Sequence, residues 1–93
     1  MTTTFARKTI FGMLKNLRHG ALELICPERS HYFGEADSHL RACIVVHDER
    51  FFARVLLGGD DAAGDAFVDG DWSSPDPVAV VRLMARANSA GVR

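Results

Sequence analysis

The side chains equipped for chemistry are few, and spacing sorts them. His39, Cys43 and His47 recur at intervals of four, which on a helix brings side chains within about 6 Å and suits a shared metal ion. Leu40, Ala42, Ile44 and Val46 alternate with Arg41, Cys43 and Val45 through the same stretch. That period is a strand's, and four residues of strand span about 13 Å. The three residues then share a face without sharing an ion, and no metal is assigned.

Asp60, Asp61, Asp65, Asp69 and Asp71 surround Gly64 and Gly70 and look at first like a calcium loop. Setting Gly70 on the invariant loop glycine puts Phe67 at a ligand position and Asp76 where a bidentate glutamate belongs. The loop fails at both. Gly58, Gly59 and Gly64 lack the lysine of a phosphate-binding loop, and the neighbouring aspartates repel phosphate. No serine stands in a nucleophile-elbow context and no Cys/His pair follows from spacing. The residues by themselves define no active site, and the chain alone is expected not to be an enzyme.

The elements that carry these residues follow from periodicity. Residues 4–18 read as an amphipathic helix: Ala6, Ile10, Met13, Leu14 and Leu17 form an apolar arc, with Arg7, Lys8, Lys15 and Arg18 on the next arc and Gly20 as the stop. A basic face of this kind suits an anionic membrane surface, or simply water over a helix packed on the core. Residues 21–26 alternate as a strand, Pro27 to Ser30 turn, and His31 to Phe33 return as a second strand. With residues 40–46 these predict a three-stranded antiparallel meander. Asp48 suits an N-cap before Phe51, Phe52, Val55 and Leu56, and Gly58-Gly59 end that helix. Residues 60–68 read as a short helix or an ordered loop closing at Asp69-Gly70. Asp76 caps, and Pro77 opens, a final helix over 78–88 with Val81, Met84 and Ala85 inward and Arg82 and Arg86 outward.

Composition sets the frame. Ninety-three residues with 47% hydrophobic and 25% charged side chains make one domain, 1–93, with a modest core. The expected class is α+β: a small antiparallel sheet of three to five strands covered on one face by three or four helices. The longest apolar run, Ala42 to Val46, is far too short to cross a bilayer. Cys26 and Cys43 make no disulfide framework and are expected reduced in a cytoplasmic protein. The net charge of −1 argues against nucleic acid. It sums a +4 segment over residues 1–20 and a −6 segment over residues 48–76, an asymmetry that can mark a charged partner or two solvated faces.

Two motifs then point to a family. Gly64-Asp65-Ala66-Phe67-Val68-Asp69-Gly70-Asp71-Trp72 resembles the G-E-[AS]-Y-x-D-G-x-W motif in the non-catalytic N-terminal domain of cyclopropane-fatty-acyl-phospholipid synthases. It departs at Asp65 and Phe67, where glutamate and tyrosine are usual. "LRHGALELICPERSHYFGE" resembles the same family's H-G-x-L-x-L-x-x-P-D-G-x-x-x-x-F-G pattern. The resemblance spans residues 14–86, with a weaker likeness to sterol-carrier-like lipid-binding domains. It implies an accessory role beside a methyltransferase domain that binds S-adenosylmethionine. Ninety-three residues leave no room for that domain, so no cofactor and no catalytic residue are assigned to this chain.

Two functions follow as expectations. In one, Phe51, Phe52, Val55, Leu56, Phe67 and Trp72 line an apolar groove for a phospholipid acyl chain. Arg7, Lys8, Lys15 and Arg18 then meet an anionic membrane, placing the protein peripherally on the inner membrane face. In the other, the domain binds no lipid and serves as a homodimer interface or docks on the methyltransferase domain, its five aspartates facing a basic partner.

Overall fold

The computed structural model describes residues 3–18, 20–35 and 37–91, the side chains of residues 3, 4, 60 and 86–91 excepted. The elements run α1 (Thr3–Leu14), β1 (Ala21–Ile25), β2 (Ser30–Gly34), β3 (Arg41–Val46), α2 (Arg50–Val68), β4 (Trp72–Ser73) and α3 (Pro77–Gly91). The class is α+β, with the helices on one face of a four-stranded sheet.

The sheet is mixed and does not follow the expected meander. Its order is β2-β1-β3-β4. β1 and β2 form an antiparallel hairpin pairing Leu22 with Phe33 and Leu24 with His31. β3 lies on the other side of β1 and runs parallel to it, pairing Leu22 with Ala42 and Leu24 with Ile44. Side-chain chemistry explains the order. A meander puts β2 in the centre, and β2 reads Ser-His-Tyr-Phe-Gly, whereas β1 and β3 are the apolar strands and take the central places. The loop from β2 to β3 needs no helix because it only steps past the start of β1, where the Ala21 amide donates to Leu40 O and the Glu35 amide to Gly20 O. Gly34, at φ +87°, makes that step: a Cβ there would run into the Gly20 carbonyl.

Leu22, Leu24, Ala42, Ile44 and Val46 point into the core with Phe51, Phe52, Trp72, Val80 and Leu83. Phe52 is fully buried and meets Phe11 and Phe51 edge-on, an aromatic burial contributing about 3 kcal/mol. α1 packs on α2, and α3 packs on β3. On the opposite face of the sheet, Ile25, Cys43 and Val45 are half-buried, and Tyr32 is 74% exposed.

Helix boundaries and faces differ from the sequence reading in several places. α1 ends at Leu14, so Lys15 and Arg18 lie beyond it. Met13 is 65% exposed, and Phe11 takes its place on the packed side, against Phe33 and Phe52. The Asp48 carboxylate accepts the Arg50 amide at the start of α2. Gly58-Gly59 breaks that helix as expected, through Gly59 at φ 64°, ψ −144°, and residues 60–68 resume it as helix. α3 turns Ala79, Val80 and Leu83 inward, while Val81 and Ala85 face solvent. Asp76 caps it by accepting the Ala79 amide. Arg82 is exposed as expected, and the Arg86 side chain lies outside the described residues.

Asp71, 1% exposed, is the buried charged residue among the described residues. Its carboxylate accepts from Arg50 Nε and Arg54 Nη1, each at 2.9 Å. Its carbonyl accepts the His47 and Asp48 amides, and its own amide donates to Ala66 O. Burial pushes the Asp71 pKa up, but the two guanidinium groups outweigh it and hold the carboxyl below its ordinary value. That stabilisation is present above the unfolded-state pKa of about 4 and disappears as pH falls through the lower folded value. Asp71→Asn should therefore lower stability at about pH 7 by about 2 kcal/mol, with the deficit shrinking toward about pH 3. Urea unfolding at both pH values measures it, and a deficit independent of pH would refute the role of the charge.

Candidate functional site

The helices do not close completely over the sheet. Between them lies an apolar cavity of about 100 Å³. Its floor is Leu22, Leu24 and Ile44, its inner wall Phe51, Ala63 and Trp72, and its far side Val80 and Leu83. Ile10, Leu14, Leu17, Val55 and Met84 complete the lining and are half-exposed, so they form the mouth. Every lining side chain except the Trp72 indole is purely hydrocarbon or thioether, and the indole N–H is already satisfied by Ala63 O at 2.8 Å. Such a space gives a polar ligand nothing to bond and favours hydrocarbon.

The six residues assigned to a lipid groove divide evenly. Phe51, Val55 and Trp72 line the cavity. Phe52 lies behind it in the core, and Leu56 packs on the core without reaching the space. Phe67 is 40% exposed and covers Trp72 from outside, at 4.9 Å between ring centroids. Six of the thirteen lining residues come from α1, its trailing turn and α3, whose contributions depend on how the helices lie across the sheet.

The basic residues of the first segment also separate. Lys8, Lys15 and Arg18 are exposed. Arg7 turns inward instead: its Nη1 donates to Glu49 Oε1 at 2.8 Å, its Nη2 to Glu28, and Phe11 and Phe52 flank the guanidinium at 5.2 and 5.8 Å. It is therefore committed to the fold rather than to a membrane. Among the aspartates, Asp61, Asp65 and Asp69 are exposed, Asp69 pairing with Arg54. Asp71 is buried and cannot face a partner, and the Asp60 side chain lies outside the described residues.

Cys43 sits mid-strand on β3, between His39 before the strand and His47 after it. His47 Nε2 instead lies 2.8 Å from Ser73 Oγ. The β1–β2 hairpin does gather chemistry that periodicity overlooked: Cys26, Glu28 and His31 bring ligand-type atoms within 4.8 Å of one another. Their signal is C-x-E-x-x-H across a tight turn, visible only once the register of the hairpin is known. No helix among the described residues is long and apolar enough to cross a membrane.

Compared with known protein families, curated proteins and solved structures, the chain finds no match.

The two thiols are unpaired. Burial pushes both pKa values up, joined by Glu23 at Cys43. Cys26 is buried and Cys43 half-buried on the open sheet face. A neutral alkylating agent at about pH 7 should therefore modify Cys43 slowly and Cys26 only as the fold opens. Peptide mass mapping over time reads the order, and equal rates at the two thiols would contradict it.

Proposed function

We propose that this chain is an accessory lipid-engaging domain, of the kind that stands beside the methyltransferase unit in cyclopropane-fatty-acyl-phospholipid synthases, and that it does no chemistry itself. The wholly apolar cavity between the helices and the sheet carries this reading. A space of about 100 Å³ is smaller than the roughly 150 Å³ that admits a benzene ring. The domain therefore grips the end of one acyl chain while the rest of the lipid stays in its bilayer. Lys8, Lys15 and Arg18 supply exposed positive charge along the same segment that forms the mouth, each worth about 1 kcal/mol at an anionic surface. S-adenosylmethionine is assigned to the methyltransferase unit, and no residue of this chain is given a part in binding it.

The open face of the sheet supports a second reading. Parallel strand pairs are ordinarily covered on both sides, yet β1 and β3 leave Ile25, Cys43 and Val45 half-exposed. A concavity of about 320 Å³ lies there, among Glu23, Tyr32, Arg41, Cys43, Pro75 and Asp76. In this reading the face packs on the methyltransferase domain or a second copy of the chain, without lipid.

Flotation with anionic and neutral vesicles at low salt, together with titration of an environment-sensitive fatty-acid analogue, separates the two. The lipid reading expects flotation with anionic vesicles alone and saturable binding of the analogue. The double variant Lys15→Glu/Arg18→Glu should weaken vesicle binding roughly tenfold or more. Val55→Trp, which fills the mouth from a half-exposed position, should weaken the analogue about tenfold while the circular dichroism stays unchanged. Failure of both binding assays in a folded protein that associates with a separately produced methyltransferase domain would establish the second reading.

A further inference from the structure

Around Arg7 the side chains are arranged in a way that neither lipid engagement nor domain docking uses. Cys26 directly follows β1, Glu28 lies in the turn, and His31 is the second residue of β2, so the hairpin alone brings a thiol, a carboxylate and an imidazole together. Their ligand atoms lie within 4.8 Å of one another. A tetrahedral zinc site holds such atoms roughly 3.5 Å apart. Glu28 stands on an exposed turn, where its side chain has room to move toward a bound ion.

Two details bear on whether the cluster can accept a metal. The first is His31. Arg7 Nη2 lies 3.3 Å from His31 Nε2, and a guanidinium can only donate. The guanidinium thus stands at the ring nitrogen that a metal would take. The second is Glu49. Its Oε1 already accepts from Arg7 Nη1, while its Oε2 is shielded from solvent without a hydrogen-bond partner. If Nη2 leaves Glu28 and His31, that vacant acceptor can receive it, converting a single contact into the two-pronged arginine–carboxylate pair that is the stronger geometry. Arg7 has somewhere to go, and its place against Phe11 and Phe52 need not change.

We propose that Cys26 Sγ, Glu28 and His31 Nε2 form a binding site for a thiophilic divalent cation, zinc being the best fit, which Arg7 guards by occupying the cation position. The mixed sulfur, nitrogen and oxygen donors suit zinc better than magnesium or calcium. On binding, the Cys26 thiol gives its proton to solvent and the thiolate bonds the metal. Glu28 exchanges its guanidinium partner for the ion, and Arg7 moves wholly onto Glu49. The thiolate, the carboxylate and Zn²⁺ sum to neutrality, and Arg7 with Glu49 sums to neutrality as well. Water from the exposed side of the turn completes the tetrahedron.

The test is titration of the reduced full chain with Co²⁺, a spectroscopic substitute for Zn²⁺, followed by displacement with Zn²⁺. The expected result is a thiolate-to-cobalt charge-transfer band saturating at one equivalent and abolished by Zn²⁺. Cys26→Ser should remove the band and Cys43→Ser should leave it. Glu28→Gln, on an exposed turn, should weaken binding roughly tenfold or more, as should His31→Gln. Arg7→Met should strengthen binding several-fold, since it removes the competing cation. Absence of the band in the wild-type chain would overturn the proposal. So would a band that survives in Cys26→Ser, or affinities unmoved by Glu28→Gln and His31→Gln. Unchanged or weaker binding in a folded Arg7→Met chain would overturn the guarding role.

Discussion

A carboxylate at 1% exposure, held between two arginines, ties the second half of this protein to the first. Burying a charge costs several kcal/mol unless it is paired and hydrogen-bonded. Asp71 satisfies both conditions, with Arg50 and Arg54 on its oxygens. The arginines remain partly in water, with side chains 57% and 28% exposed, so only one member of the triad bears the full cost of burial. The backbone of the same residue bonds the exit of β3 and the final turn of α2. A single residue thus ties the edge of the sheet, both ends of the kinked helix and the start of β4.

The apolar cavity depends on this knot. Trp72 follows Asp71 directly, and its indole bonds Ala63 O on the returning half of α2. The Gly59 break is what lets that half return, because φ near +64° is a conformation L side chains rarely adopt. The wall of the cavity is therefore built from a helix kinked at Gly59 and a strand of two residues. The opposite wall, α1, is pinned differently: Ala6 is fully buried, Arg7 bridges Glu28 and Glu49, and the later residues Ile10 and Leu14 are only half-buried at the mouth. One side of the cavity is fixed by a buried ion pair and the other by one end of an amphipathic helix.

Arg7 also shows how one residue can hold two places. In sequence it belongs to a basic helical face, and two of its basic neighbours, Lys8 and Lys15, do face solvent. The third dimension puts two carboxylates and two phenylalanine rings around it. Charge counted along the chain cannot separate these cases, since a cation near solvent and a cation near Glu49, 42 residues away, look alike until the chain folds.

Local signals were strong where one period or one turn decides. The alternation of Leu22 and Leu24, and of Ala42, Ile44 and Val46, placed the strands and their inward face. Gly58-Gly59 and Asp76-Pro77 placed the helix break and the last helix start. The α+β class followed from that order of elements. What the sequence left open was everything set by relations between elements. Antiparallel and parallel pairing of β3 satisfy the same alternation, and the choice fell to the burial of β1 and β3 over the more polar β2. Periodicity found the aromatic residues, but only the crossing of α1, α2 and α3 over the sheet decided that Phe51 and Trp72 line a cavity while Phe52 fills the core and Phe67 faces water. The sequence by itself determined which residues are apolar and where the chain turns, because those depend on neighbours a few positions away. Tertiary structure alone decided which charges pair and which surfaces stay open, because those depend on residues the chain brings together from far apart.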